Sequence, residues 1–212
     1  MFIGINICAQ NDHNEKLTRV LIKTDSGSII LVLYEETILH KENFLKLTKE
    51  GYFDGQLFHR LIKDFMIQGG DPASKSAGTR QILGLGGPGY TIPAEINPKY
   101  YHKKGALAAA RKDDSVNPTK SSSGSQFYIV QGSLFTKKQL DLMVERKMHV
   151  PFSKAEIQTY TKIGGAPHLD GDYTVFGEVI KGLNVLDKLM NVQVDANNRP
   201  LKDIKFTIKI LE

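Results

Sequence analysis

The stretch from Phe58 to Asp71, FHRLIKDFMIQGGD, holds the side chains best suited to chemistry in this chain. Arg60 stands among Phe58, Phe65 and Met66, Gln68 follows two residues after Met66, and Gly69-Gly70-Asp71 closes the segment as a turn. A guanidinium is permanently charged and presents a rigid fork of donors. Beside an apolar wall and an amide, it suits polar contact with a bound group rather than proton exchange. Taken singly, Phe65 and Met66 read as ordinary core side chains and Arg60 as an exposed charge. Other chemistries find less support. Ser125 lacks the G-x-S-x-G setting of a serine hydrolase. His13, His40, His59, His102, His149 and His168 show no metal-ligand spacing, so no metal is expected. The glycine-rich run Gly84 to Gly89 has no lysine-serine or lysine-threonine ending and opens no helix, which argues against a phosphate loop. His59 reads as a buried, hydrogen-bonded histidine.

The elements that must position these residues are mostly short strands. Arg19 to Thr24 and Ser28 to Tyr34 flank an Asp25-Ser26-Gly27 turn signal and predict a hairpin. His40 to Glu50 reads as a helix carrying Phe44 and Leu47 on one face and ending at Gly51. Phe58 to Ile62 and Phe65 to Gln68 are strands divided by Lys63-Asp64, and Gly78 to Ile92 is a long structured loop. Gly105 to Arg111 is a strand of small residues that leaves room above it. Gln126 to Val130 and Thr174 to Ile180 are further strands, Leu183 to Met190 is a short helix, and the alternation from Ile204 to Ile210 marks a last strand with one face buried. About eight short strands and two helices that do not alternate predict a mainly β fold, a closed eight-stranded antiparallel barrel capped by the two helices. Between Phe135 and His168 the chain reads as two more helices. Thr136 with Gln139 and Ser153 with Glu156 have capping-box spacing, Phe135 with Leu140 and Phe152 with Ile157 have staple spacing, and Gly164-Gly165 ends the second helix.

The whole-chain numbers fit one domain, residues 18–212, with residues 136–167 as a helical insertion. The sequence is 41% hydrophobic and 24% charged over 212 residues, which is ordinary for a soluble globular protein. No apolar run reaches the ~18 residues of a membrane span. The net charge of +5 is spread over isolated lysines and gives no reason to expect nucleic-acid binding. A single cysteine, Cys8, rules out an intrachain disulfide. Residues 1–17 read as a disordered tail or as the remnant of a secretory signal ending near Ala9, which slightly favours a periplasmic or secreted location over a cytoplasmic one.

The segment around Arg60 resembles the signature of the cyclophilins, the cyclosporin-binding family of peptidyl-prolyl cis/trans isomerases. Gly124-Ser125-Gln126-Phe127-Tyr128-Ile129, Leu169-Asp170-Gly171 and Val175-Phe176-Gly177-Glu178-Val179 resemble further family blocks in the same order. The 136–167 segment departs from the compact family pattern, as an element of substrate selection or as an ornament packed on the barrel. The resemblance implies the cyclophilin barrel, an isomerase without a cofactor, and proline-containing unfolded or flexible polypeptides as substrates of a monomer.

Carried over residue by residue, the resemblance assigns catalysis to Arg60, Phe65 and Gln68. It implies a proline pocket of Phe65, Met66, Tyr128 and Leu169, with peptide contacts from Gly78, Ala110, Arg111, Gln126, His168 and Tyr173. Four of these depart from the usual family residues. Tyr128 stands where phenylalanine is usual and adds a hydroxyl at the pocket floor, Tyr173 replaces histidine, and Arg111 replaces asparagine. His168 stands where drug-sensitive members carry tryptophan, so tight cyclosporin binding is not expected. Rotation about the prolyl bond must cross a barrier of ~18–20 kcal/mol set by amide resonance. In the twisted state the imide nitrogen regains a lone pair, toward which Arg60 could donate. A non-catalytic proline-peptide binding or chaperone module is the alternative, and an intact Arg60 argues for catalysis over it.

Overall fold

The computed structural model describes residues 17–79 and 81–211. The readings made at Cys8, at the apolar N-terminal run and for residues 1–16 therefore lie outside the described residues. Strands β1 (Arg19–Thr24) and β2 (Gly27–Leu33) form the expected hairpin, with Ile22 opposite Ile29 and Val20 opposite Leu31. Its turn is tied locally: Thr24 Oγ1 donates to the Gly27 carbonyl at 3.0 Å and accepts from Ser26 N at 3.1 Å.

The remaining strands are β3 (Gln56–Leu57), β4 (Arg60–Ile62), β5 (Met66–Gly69), β6 (Thr91–Ile92), β7 (Ala106–Arg111), β8 (Ser122–Val130), β9 (Val175–Lys181) and β10 (Lys205–Leu211). Among the described residues the eight expected strands are thus joined by two more, β3 and β6, two-residue pairings too short to leave a hydrophobic period. All pair antiparallel in one sheet ordered β3-β10-β1-β2-β9-β7-β8-β5-β4, with β6 beside β8. Both ends of that path lie on the continuous chain 56–62. Phe58 N donates to the Ile204 carbonyl on one side at 2.9 Å, and His59 N donates to the Gln68 carbonyl on the other at 3.0 Å.

The period of two divides β5, β7 and β8 between two apolar environments. Ile67 of β5, Leu107 and Ala109 of β7, and Phe127 and Ile129 of β8 point into the main core with Val20, Phe44, Phe58, Phe176 and Phe206. Phe127 meets the rings of Phe44, Phe53, Phe58 and Phe206 edge-on at 5.4–6.3 Å, the favoured arrangement of aromatic quadrupoles. The alternate residues Met66, Ala106, Ala108, Tyr128 and Val130 emerge on the opposite face and join Leu169 and Val175 in a second cluster. Ala106 and Ala108 are small, which leaves room on this face for larger side chains.

The described residues also form four α-helices. Helix α1 (Ile38–Lys49) buries Phe44 and Leu47 in the main core. Its N-terminus carries no cap from Thr37; the carboxylate of Glu95 accepts from Leu39 N at 3.0 Å and His40 N at 2.9 Å instead. Helices α2 (Lys137–Glu145) and α3 (Lys154–Lys162) begin with the two complete capping boxes expected at Thr136 and Ser153, and α4 is Leu183–Leu189. The base of the 136–167 segment is clasped, because Ser133 and Gly165 exchange backbone hydrogen bonds at 3.0 and 3.1 Å. No helix among the described residues is long and apolar enough to cross a membrane.

Candidate active site

Strands β4 and β5 form a tight hairpin whose register sets Arg60 opposite Gln68 and Ile62 opposite Met66. Asp64 takes a left-handed conformation in the turn (φ 61°), and its N–H donates to Gln131 Oε1 at 2.7 Å. The Phe65 carbonyl accepts from both Gln131 N and Gly132 N at 3.0 Å. The backbone beneath Phe65 is therefore held from two directions.

Arg60 is exposed and donates from Nη1 to Gln68 Oε1 at 3.2 Å, its one side-chain hydrogen bond among the described residues. Gln68 Nε2 then donates to Gln126 Oε1 at 2.9 Å, and Gln126 Nε2 donates to the carbonyls of Gly84 and Gly86 at 2.9 and 2.7 Å. Asp71 holds that loop from below, accepting from Gly84 N at 2.6 Å and Ala73 N at 2.8 Å. This bond chain keeps one edge of the guanidinium engaged and leaves its other donors without a partner among the described residues.

The apolar wall beside Arg60 comes from Phe65, Met66, Tyr128 and Leu169, which all belong to the second cluster. Phe65 faces the ring of His168 at 5.3 Å, and Tyr173 meets Tyr128 edge-on at 6.0 Å. Burial, reinforced by Tyr173 and Asp170, raises the Tyr128 pKa far above the ordinary phenol range, so the hydroxyl stays neutral. That hydroxyl lies 2.9 Å from His102 Nε2. His168 is exposed, and its partial burial lowers its pKa, with His102 as a smaller cause.

Arg111 lays its guanidinium over the Tyr173 ring, 4.5 Å from the centroid, and donates from Nε to the Asp172 carbonyl at 2.7 Å. A bulge between Ala109 and Arg111 leaves Ala110 without a partner on β8, so its backbone is out of the ladder. Gly78 is the sequence candidate whose contacts lead elsewhere. Its carbonyl accepts from buried Arg199 at 2.8 Å, and Arg199 is itself paired with Asp203. Sequence reasoning passed over Arg199, Asp71 and His102 as contributors to this region. For His102 a signal existed: a tyrosine hydroxyl on a buried strand needs a partner.

The reading of His59 is corrected. It is 3% exposed, yet neither ring nitrogen has a hydrogen-bond partner among the described residues. Burial pulls its pKa down from 6.5 to about 4, with Asp71 opposing the shift. Between those values the unfolded chain binds the proton and the folded protein does not. The stabilisation that His59 contributes is therefore complete above pH 6.5 and is lost as the pH falls toward 4. Thermal unfolding across that range should show a steeper loss of Tm for wild type than for His59→Gln, and parallel curves would refute this assignment.

A curled antiparallel sheet that sets an exposed guanidinium, a glutamine pair and an aromatic-containing apolar cluster close together defines a mainly β protein. The family model for cyclophilin type peptidyl-prolyl cis-trans isomerase/CLD matches residues 19–209. A Staphylococcus epidermidis protein named as a peptidyl-prolyl cis-trans isomerase is 32% identical over 187 residues, covering 88% of this chain and 87% of that protein. A Streptococcus pyogenes protein named as a bifunctional phosphatase/peptidyl-prolyl cis-trans isomerase is 37% identical over 191 residues, and the match spans only 37% of its length. Among solved structures, the Cryptosporidium parvum cyclophilin type peptidyl-prolyl cis-trans isomerase is 27% identical with a TM-score of 0.66, covering 92% of this chain and 98% of that one. The chain belongs to the cyclophilin-type peptidyl-prolyl cis-trans isomerase family. Its activity is that of the family, rotation about prolyl peptide bonds.

Proposed function

We propose that Arg60 catalyses this rotation by donating toward the prolyl nitrogen as it becomes pyramidal, while Phe65, Met66, Tyr128 and Leu169 hold the ring. Phe65 and Gln68 complete the catalytic group, Gln68 by fixing Arg60. Gln126 and the backbone at Ala110 and Arg111 bond an extended peptide, and His168 and Tyr173 border it. The bond chain from Arg60 through Gln68 to Gln126 is the observation that carries this reading, since it aims a preorganised donor beside an apolar wall. A donor already in place needs no reorganisation when the lone pair develops, so it favours the twisted state over the planar one.

The substrates in this reading are flexible or unfolded chains containing proline, and the role is to assist their folding, because cis/trans exchange is slow enough to limit folding. Residues 18–212 act as one isomerase domain with 136–167 inserted in it, working as a monomer without a cofactor. The test is exchange NMR on a short Ala-Pro peptide together with the methyl signal of Met66. Wild type should broaden the cis and trans peptide signals, and peptide should shift the Met66 methyl. Exchange without a Met66 shift would place the pocket elsewhere.

A further inference from the structure

We propose that the 136–167 segment positions the proline pocket through the buried carboxylate of Asp170, with Tyr160 of α3 as the positioning residue. This rests on the pocket assigned above and adds a part of the chain that the pocket does not contain. Asp170 directly follows Leu169, one of the pocket walls. Its Oδ1 accepts from the backbone N and Nδ1 of His102, both at 2.8 Å. Its Oδ2 accepts from the Tyr160 hydroxyl at 2.5 Å and lies 3.4 Å from Nε2 of His149, in the connection between α2 and α3.

With Nδ1 of His102 donating to the carboxylate, Nε2 is left as the acceptor, and the Tyr128 hydroxyl 2.9 Å away donates to it. An unbroken chain of hydrogen bonds thus runs from Tyr160 through Asp170 and His102 to the floor of the pocket. Its side chains are out of water: Tyr160 is 0%, His102 1% and Tyr128 4% exposed. In such surroundings each bond is strong and each loss leaves a polar group without a partner.

The segment is built to hold Tyr160 in place. Phe135 N donates to the Tyr160 carbonyl at 3.0 Å, and the rings of Phe135, Phe152 and Tyr101 surround it at 5.7–6.3 Å. The His149 ring stacks on Phe152 at 3.8 Å. Gly165 closes the segment against the strip beside His102, where a Cβ would come within 2.2 Å of the His102 carbonyl. Helix α3 therefore supplies the hydrogen-bond donor on one side of Asp170, with His149 close by, and Asp170 in turn orients His102, Tyr128 and Leu169.

The experiment compares wild type, Tyr160→Phe, Tyr128→Phe and the double variant. It measures kcat and KM for a short proline peptide by exchange NMR, and the imidazole ¹⁵N shifts of His102. Tyr160→Phe keeps the ring that α3 packs around, and circular dichroism confirms the fold. Loss of one buried hydrogen bond should lower kcat roughly threefold to tenfold with KM little changed. The double variant should be no slower than Tyr128→Phe alone, and the His102 shifts should move in Tyr160→Phe. Unchanged kcat in Tyr160→Phe, effects that multiply independently, or unmoved His102 shifts would each overturn the proposal. If wild type and Arg60→Ala were equally inactive, the catalytic reading would fail by itself. The His102 shifts would still decide whether Tyr160 reaches the pocket floor.

Discussion

Arg60→Ala should isomerise a proline peptide about 10²–10³ times more slowly than wild type, the usual cost of removing one preorganised donor. Its stability should stay within about 0.5 kcal/mol of wild type, because the side chain is exposed and makes, among the described residues, one long hydrogen bond to the amide oxygen of Gln68. This separation of activity from stability is what distinguishes a catalytic group from a structural one. Arg60→Lys should recover only part of the rate, since an ammonium cannot engage Gln68 and a ligand as one planar fork does. Exchange NMR on the three proteins, with urea unfolding beside it, makes the comparison. An Arg60→Ala protein that is folded and as fast as wild type would remove the guanidinium from the mechanism and leave desolvation by the pocket as the source of rate.

Gly70→Ala should show the opposite signature, a large loss of stability that carries the activity down with it. Gly70 has φ 96°, a conformation costly for any residue with a side chain, and a Cβ there would lie 2.1 Å from the Ser125 carbonyl oxygen. Backbone on both sides must separate to admit a methyl group. The penalty should be about 3 kcal/mol or more, from left-handed strain plus overpacking. The displacement would also reach the site. Ser125 Oγ donates to the Gly70 carbonyl at 2.7 Å, and Gln126, which holds Gln68, is the next residue. Urea unfolding of the variant checks the number, and a change below about 1 kcal/mol would mean that this crossing can relax, as fewer cores do.

The hairpin that carries Arg60 and Gln68 was legible in the sequence. Apolar residues on either side of Lys63-Asp64 mark two strands and a turn, but a two-residue turn there would set Arg60 across from Ile67; the three-residue loop of the structure, Lys63 to Phe65, is what sets it across from Gln68. The capping boxes at Thr136 and Ser153 were equally legible, because each satisfies its helix with a partner three residues away. The family blocks proposed a set of pocket residues, of which Met66, Tyr128 and Leu169 lie in one apolar cluster. His59 was misread because burial can be inferred from apolar neighbours, whereas the presence of a partner depends on what packs above it.

What the sequence determined by itself is the set of features whose cause lies within a few residues: strand period, turn chemistry, helix caps and the order of the site blocks. Only the tertiary structure decided that Glu95 would cap α1, that Gln126 would take Gln68 and the Gly84–Gly86 loop together, and that Tyr160 would share Asp170 with His102. Several of these partners lie more than fifty residues apart in the chain. Such a bond depends on two polar groups meeting in one buried place with matching donors and acceptors, and no local period in the chain encodes that meeting.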